Sequence, residues 1–212
     1  MLQVKVFIFN PVMENTYVLF NEKKECIIID PGCYFDEERE ALQAFIAGNN
    51  LTPKLLLNTH CHLDHVFGNK FIAETYGLIL HLHKKEEAML QMAPASGLIF
   101  NLPFDNYQGE LIFLNENESV NLGEDKLEII ETPGHSPGSV SFYCRSQHFI
   151  IDGDVLFENS IGRYDLPGGD YQTLINSIKQ KLFLLPDDAI VYSGHGSQTS
   201  IGQEKKHNPY FS

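Results

Sequence analysis

Positive charge is scarce in this chain. Fifteen lysines and arginines stand against 28 aspartates and glutamates, a formal net charge of −13 at pH 7. Phosphate backbones are bound through Lys and Arg, so no nucleic-acid partner is expected. Long apolar runs are missing too: none reaches the length of a membrane span, and Met1–Asn10 lacks a basic segment followed by an apolar stretch and a small-residue cleavage site. Neither membrane insertion nor secretion is therefore expected. Cysteine is sparse, with only Cys26, Cys33, Cys61 and Cys144 and no CxxC pair, which argues against a disulfide framework and for a reducing, cytoplasmic setting. No internal repeat and no linker-like stretch interrupts the 212 residues, and 43% hydrophobic content is ordinary for a globular protein, so one domain over 1–212 is the expectation.

The densest chemistry lies in Asn58-Thr59-His60-Cys61-His62-Leu63-Asp64-His65, which sets three imidazoles and a carboxylate within six residues directly after the apolar run Leu55-Leu56-Leu57. That run reads as a buried strand delivering a polar tip. Side chains alternate on an extended segment, so His60 and His62 should point the same way and Cys61 away from them, as a packed thiol. Asp64 and His65 follow where the chain bends towards a helix. Imidazole and carboxylate are ligands for zinc, iron or manganese, and a mixed set suits a catalytic site better than a closed structural one. Without a cation, such groups at one strand end would repel or stay unpaired.

Around this motif the pattern alternates. Val4 to Phe9, Tyr17 to Phe20 and Cys26 to Ile29 read as a strand meander, Asp36 to Ala47 as a helix closed by Gly48, and Lys54 to Leu57 as the strand feeding the motif. Gly68 to Tyr76 predicts a helix, Leu78 to Leu82 a strand and Lys84 to Met92 a short helix, with Pro94 to Gln108 expected as a loop. His81 and His83 repeat the HxH spacing but have no third ligand nearby, and read as strand-end residues. Strands return from Leu111: Leu111 to Leu114, Ser119 to Leu122, Leu127 to Glu131, Val140 to Cys144, Phe149 to Asp152 and Ala189 to Tyr192. The clearest helix is Asp170 to Leu182, with Asp170 as N-cap, and Thr199 to His207 predicts a last short one. This order suggests two packed sheets with helices outside.

Three more ligand candidates follow strand-like segments in glycine-flanked turns that permit close backbone approach: His135 in Gly134-His135-Ser136-Pro137-Gly138, Asp154 in Ile151-Asp152-Gly153-Asp154, and His195 in Ser193-Gly194-His195-Gly196. Five histidines and two aspartates are too many for one metal, whereas two metals sharing a carboxylate can use seven.

The ordered set THCHLDH, GHSPGS, DGD and SGHG resembles the metallo-β-lactamase-fold hydrolases, most closely the glyoxalase II (hydroxyacylglutathione hydrolase) branch, over nearly the whole chain. The resemblance implies a four-layer αββα sandwich. It also implies one metal on His60, His62 and His135, a second on Asp64, His65 and His195, and Asp154 as the bridge, with Asp64 and Asp154 the catalytic carboxylates. Asp30, in the Ile29-Asp30-Pro31-Gly32 turn, would orient a ligating imidazole without binding metal. The metals would be two divalent ions, zinc first, with iron or manganese as alternatives, and the nucleophile a bridging hydroxide directed at a small acyl thioester such as S-lactoylglutathione. Arg163 matches a basic residue that grips the glutathione carboxylate, and Tyr164 a neighbouring aromatic one.

Secreted β-lactamases of this fold usually carry cysteine where Asp154 stands, which argues against antibiotic hydrolysis. Full-length glyoxalase II has a further C-terminal helical region that this chain, ending at Ser212, is expected to lack. Persulfide dioxygenases are also similar around Gly162-Arg163-Tyr164-Asp165; on that likeness His62, His135 and Asp154 would hold one iron. A metal-dependent binding module is the non-enzymatic alternative, although seven ligands exceed what a structural zinc requires.

Overall fold

The computed structural model describes residues 1–211. They form two compact units, Met1–Leu114 with Asn121–Asp125, and Asn115–Val120 with the chain from Lys126. Each is built on a six-stranded mixed sheet. Among the described residues no helix is long and apolar enough to cross a membrane.

In the first unit β1 (Gln3–Phe9), β2 (Glu14–Phe20) and β3 (Glu25–Ile29) form the expected antiparallel meander. Helix α1 (Asp36–Gly48) leads into β4 (Thr52–Leu57), and α2 (Leu63–Val66) with α3 (Asn69–Tyr76) leads into β5 (Leu80–His83). A 3₁₀ turn, Lys84–Glu86, and α4 (Glu87–Ile99) precede β6 (Leu111–Leu114). Strands β3 to β6 pair in parallel. Parallel strands are covered on both faces, so Ile27-Ile28-Ile29 and Leu56-Leu57 are uninterrupted apolar runs, all fully buried. Because β3 and β4 run the same way, Asp30 and Asn58 leave the sheet at one edge, where Asp30 N–H donates to Leu57 O at 2.9 Å and Asn58 N–H to His81 O at 2.9 Å. The histidine motif thus starts at the carboxyl ends of parallel strands, the edge where open α/β sheets bind ligands.

The loop expected from Pro94 is instead helix as far as Ile99. Proline has no N–H for the carbonyl four residues back, and its ring usually breaks a helix there. Here the deserted carbonyl, Leu90 O, accepts from Asn106 Nδ2 at 2.6 Å, and Leu102 N–H returns to Gly97 O at 2.7 Å. A side chain twelve residues beyond Pro94 replaces the missing bond, a relation that no local sequence pattern displays.

In the second sheet β7 (Ser119–Leu122), β8 (Asp125–Glu131), β9 (Val140–Cys144) and β10 (Phe149–Gly153) are followed in the chain by a separate two-stranded hairpin, β11 (Leu156–Phe157) and β12 (Ser160–Ile161), too short to be seen in the sequence. Helix α5 (Tyr171–Gln180) is capped as expected by Asp170, whose Oδ1 accepts from Thr173 N–H at 2.7 Å. The chain closes with β13 (Ile190–Ser193), β14 (Thr199–Ser200) and α6 (Ile201–His207), the sheet order being β14-β13-β10-β9-β8-β7. Strand β10 is parallel to β13, and β9 is antiparallel to both β8 and β10, so β8, β10 and β13 all run one way. His135, Asp154 and His195 follow the ends of those three strands and therefore emerge at one edge of the sheet.

Candidate metal centre

Each unit carries one set of ligand-type side chains. In the first, His60 and His65 are fully buried, their ring centroids 4.1 Å apart, and the His62 ring lies 4.8 Å from that of His60. Alternation works as the sequence implies: Cys61 packs into the apolar core while the two flanking imidazoles stay together. Burial pushes the Cys61 thiol well above its usual pKa, which removes it as a nucleophile.

Asp30 organises this set. Its Oδ1 accepts from Thr59 N–H at 2.7 Å and Asn58 Nδ2 at 3.1 Å, and its Oδ2 from Thr59 Oγ1 at 2.5 Å and His65 Nδ1 at 3.1 Å. Although Asp30 stands close enough to His60 and His65 to complete a ligand triplet, four donors saturate its two oxygens, so its part is to aim other groups. The bonds also assign tautomers. Thr59 gives its one hydroxyl proton to Asp30, so His60 Nδ1, 3.1 Å from Thr59 Oγ1, must be the donor of that pair. His65 donates likewise from Nδ1 to Asp30. In both rings Nε2 is left as the lone-pair nitrogen, the form that binds a metal.

Further partners fix the loop. Asn58 Nδ2 donates to His65 O at 3.0 Å, and Asn69 Nδ2 to Asn58 Oδ1 at 2.7 Å. Asn10, in left-handed conformation at the β1–β2 turn, donates from Nδ2 to Asp64 O and to Gly32 O, each at 3.0 Å. A Cβ at Gly32 would lie 2.5 Å from Asp64 O and 2.0 Å from Glu14 Oε2, so only glycine fits there. Sequence alone assigns Asn10, Asn58 and Asn69 no such role, because an asparagine at a strand end or a helix start reads as an ordinary turn or cap residue.

In the second unit a single oxygen, Asp154 Oδ2, faces His135 Nε2 at 3.4 Å and His195 Nε2 at 3.6 Å. Both separations exceed the usual hydrogen-bond range of about 2.7–3.2 Å. His135 donates its Nδ1 proton to Arg163 O at 2.7 Å, so the atom it turns towards Asp154 is a lone pair. His65 Nε2 stands in the same relation to Asp64 Oδ2, at 3.6 Å. A lone pair aimed at a carboxylate oxygen is repulsive unless a cation lies between, and a cation about 2.0–2.2 Å from each donor fits those separations. The donor chemistry therefore fits divalent metal.

The segment after β12 backs onto this second set. Gly162 lies so close that a Cβ would stand 1.9 Å from Asp154 O and 3.4 Å from His135 Cβ. Arg163 contributes its carbonyl to His135, while its exposed guanidinium forks onto Asp165, Nε to Oδ1 at 2.9 Å and Nη2 to Oδ2 at 3.0 Å. The Tyr164 ring packs edgewise on Tyr171 at 4.8 Å. Asp152, the first acid of the DGD turn, is fully buried and accepts from Leu156 N–H at 2.9 Å, which holds the turn that presents Asp154. As the sequence implies, His81 and His83 serve local roles: His81 Nδ1 donates to backbone carbonyls and His83 Nδ1 accepts from Lys85 N–H.

The family description "Metallo-beta-lactamase superfamily" matches residues 9–195. Two curated relatives are each 37% identical: the probable metallo-hydrolase YqgX of Bacillus subtilis, over 94% of this chain and 93% of its own length, and the hydroxyacylglutathione hydrolase GloC of Haemophilus influenzae, over 99% and 98%. Among solved structures, the B3 metallo-β-lactamase BLEG-1 is similar with a TM-score of 0.91 and 39% identity, covering 99% of this chain and 100% of that one. TTHA1623, solved in a di-iron-bound form, has a TM-score of 0.88 and 32% identity over 97% and 99%.

Proposed function

The chain belongs to the metallo-β-lactamase superfamily and has its fold, and from that premise we propose that it is a binuclear metallohydrolase cleaving small acyl thioesters of the S-lactoylglutathione kind. The two units act as one domain in this reading, which joins their ligand sets around one pair of divalent ions: His60, His62 and His135 on the first, Asp64, His65 and His195 on the second, and Asp154 shared. The observation that carries it is Asp154 Oδ2 poised between the Nε2 atoms of two histidines. The family match, from residue 9 to residue 195, includes all seven ligands. TTHA1623, at 32% identity, supports a pair of ions, and leaves iron beside zinc as a candidate.

A pair of divalent ions supplies Lewis acidity towards a carbonyl and a hydroxide nucleophile at neutral pH. The residues of the chain do the rest. Asp30, through Thr59 and His65, and Arg163 O, through His135, fix which imidazole nitrogen carries a proton and where the other points. A thiolate leaves readily, so the site needs no strong general acid. The Arg163 guanidinium anchors the acidic, non-reacting end of the substrate by exchanging Asp165 for a substrate carboxylate, and Tyr164 flanks it.

Glutathione thioesters are preferred because GloC carries the name hydroxyacylglutathione hydrolase at nearly the same length. A second reading, β-lactam hydrolysis, is favoured by the likeness to BLEG-1. The test is a parallel assay of S-lactoylglutathione hydrolysis, cephalosporin hydrolysis and persulfide-dependent oxygen uptake, with metal content measured on the same sample. Thioester turnover with two metal equivalents is expected. Turnover of the cephalosporin alone selects the second reading, and oxygen uptake on one iron equivalent replaces both with a dioxygenase.

A further inference from the structure

We propose that Glu86 is a positioning residue for the metal ligands His60 and His62, acting by accepting the backbone N–H of Cys61 that lies between them. The inference rests on the metal-binding reading above. Strand β4 stops at Leu57, so the extended residues carrying the two histidines have no ladder of their own. Their amides are gripped by acids instead. Asp30 Oδ1 takes Thr59 N–H at 2.7 Å, on one side of His60, and Glu86 Oε2 takes Cys61 N–H at 2.8 Å, on the other.

Glu86 ends the 3₁₀ turn after β5 and is fully buried, as is its bond to Cys61. A buried amide needs an acceptor in the right place, and the Glu86 oxygen, 2.8 Å from Cys61 N, makes that directional contact. That contact sets the peptide plane between His60 and His62. With His60 held at Nδ1 by Thr59, it fixes the direction in which His60 presents Nε2 and the course of the backbone that carries His62. Outer partners of this sort, when removed, cost about 10–100-fold in metal affinity. Sequence gave no sign of it, since Glu86 lies more than twenty residues from the motif, among ordinary surface-type residues, Lys84-Lys85-Glu86-Glu87.

The test compares two conservative variants. Glu86→Gln keeps an oxygen for Cys61 N–H and loses the charge, whereas Glu86→Asp keeps the charge and withdraws the oxygen by one methylene. Metal-free proteins are titrated with zinc against a chromophoric chelator, cobalt-loaded proteins are examined by visible absorption, and thermal melts of the metal-free forms report folding. Glu86→Gln should bind both ions almost as wild type does, with an unchanged cobalt spectrum. Glu86→Asp should melt cooperatively yet bind one of the two ions about 10–100-fold more weakly, with a shifted cobalt band. Wild-type affinity in Glu86→Asp overturns the assignment, as does a Glu86→Gln defect equal to that of Glu86→Asp. A Glu86→Asp chain that no longer folds also overturns it, by making Glu86 a residue of the fold. Wild-type protein whose zinc affinity is indifferent to His60→Ala refutes the metal-binding reading itself.

Discussion

Asn106 donates its side-chain N–H to the carbonyl of Leu90 at 2.6 Å, taking the place of the amide that Pro94 lacks. Loss of that donor strands a buried carbonyl, so Asn106→Ala should destabilise the protein by about 1–3 kcal/mol in urea unfolding. In a Pro94→Ala background residue 94 regains its N–H, and the same substitution should cost clearly less. Equal losses in both backgrounds would show that Asn106 stabilises the protein by some other contact.

Asp30 should be as sensitive as a ligand because both of its oxygens are engaged in aiming Thr59, Asn58 and His65. Asp30→Asn replaces one of its acceptor oxygens with a donor, which must then face Thr59 and Asn58 or Thr59 and His65. We expect a drop in metal affinity of about 10–100-fold. Chelator competition reads it, and unchanged affinity would return Asp30 to a purely structural part.

Asp154→Ala should abolish hydrolysis and leave a cooperative melt, because its carboxylate is turned towards His135 and His195. Near-normal turnover in this variant would mean that Asp154 is not the shared ligand.

For the Gly162-Arg163 segment, side chain and main chain separate cleanly. Arg163→Ala leaves the carbonyl that holds His135 and removes only the guanidinium, so KM should rise for anionic thioesters more than for neutral ones, with kcat little changed. Gly162→Ala pushes a Cβ against Asp154 O and should lower kcat for both substrate types. Equal effects of Arg163→Ala on anionic and neutral substrates would assign its side chain to scaffolding with Asp165.

Much of this was legible because it is local. Three parallel-strand ends announce themselves as apolar runs broken by His, Asp and Gly, and the alternation of His60, Cys61 and His62 follows from an extended backbone. Asp30 is singled out in the sequence only through the family resemblance of its turn, and its four donors are not legible there, since they come from residues 28–35 positions away. Helix α4 was cut short at Pro94 because the compensating donor, Asn106, lies outside any helical window. The β11–β12 hairpin and α2 are too short to show a period. Arg163 was legible as a motif residue, while its bidentate pairing with Asp165 and its carbonyl bond to His135 are tertiary facts.

The central claim, that two sets of ligands hold one pair of ions for thioester hydrolysis, is tested most directly by metal stoichiometry coupled to turnover. Protein stripped with chelator and titrated with zinc should regain S-lactoylglutathione hydrolysis in step with uptake, reaching two equivalents per chain, and His65→Ala and His195→Ala should each lower the count and the rate. One equivalent giving full activity, with both variants turning over as wild type, would contradict the account.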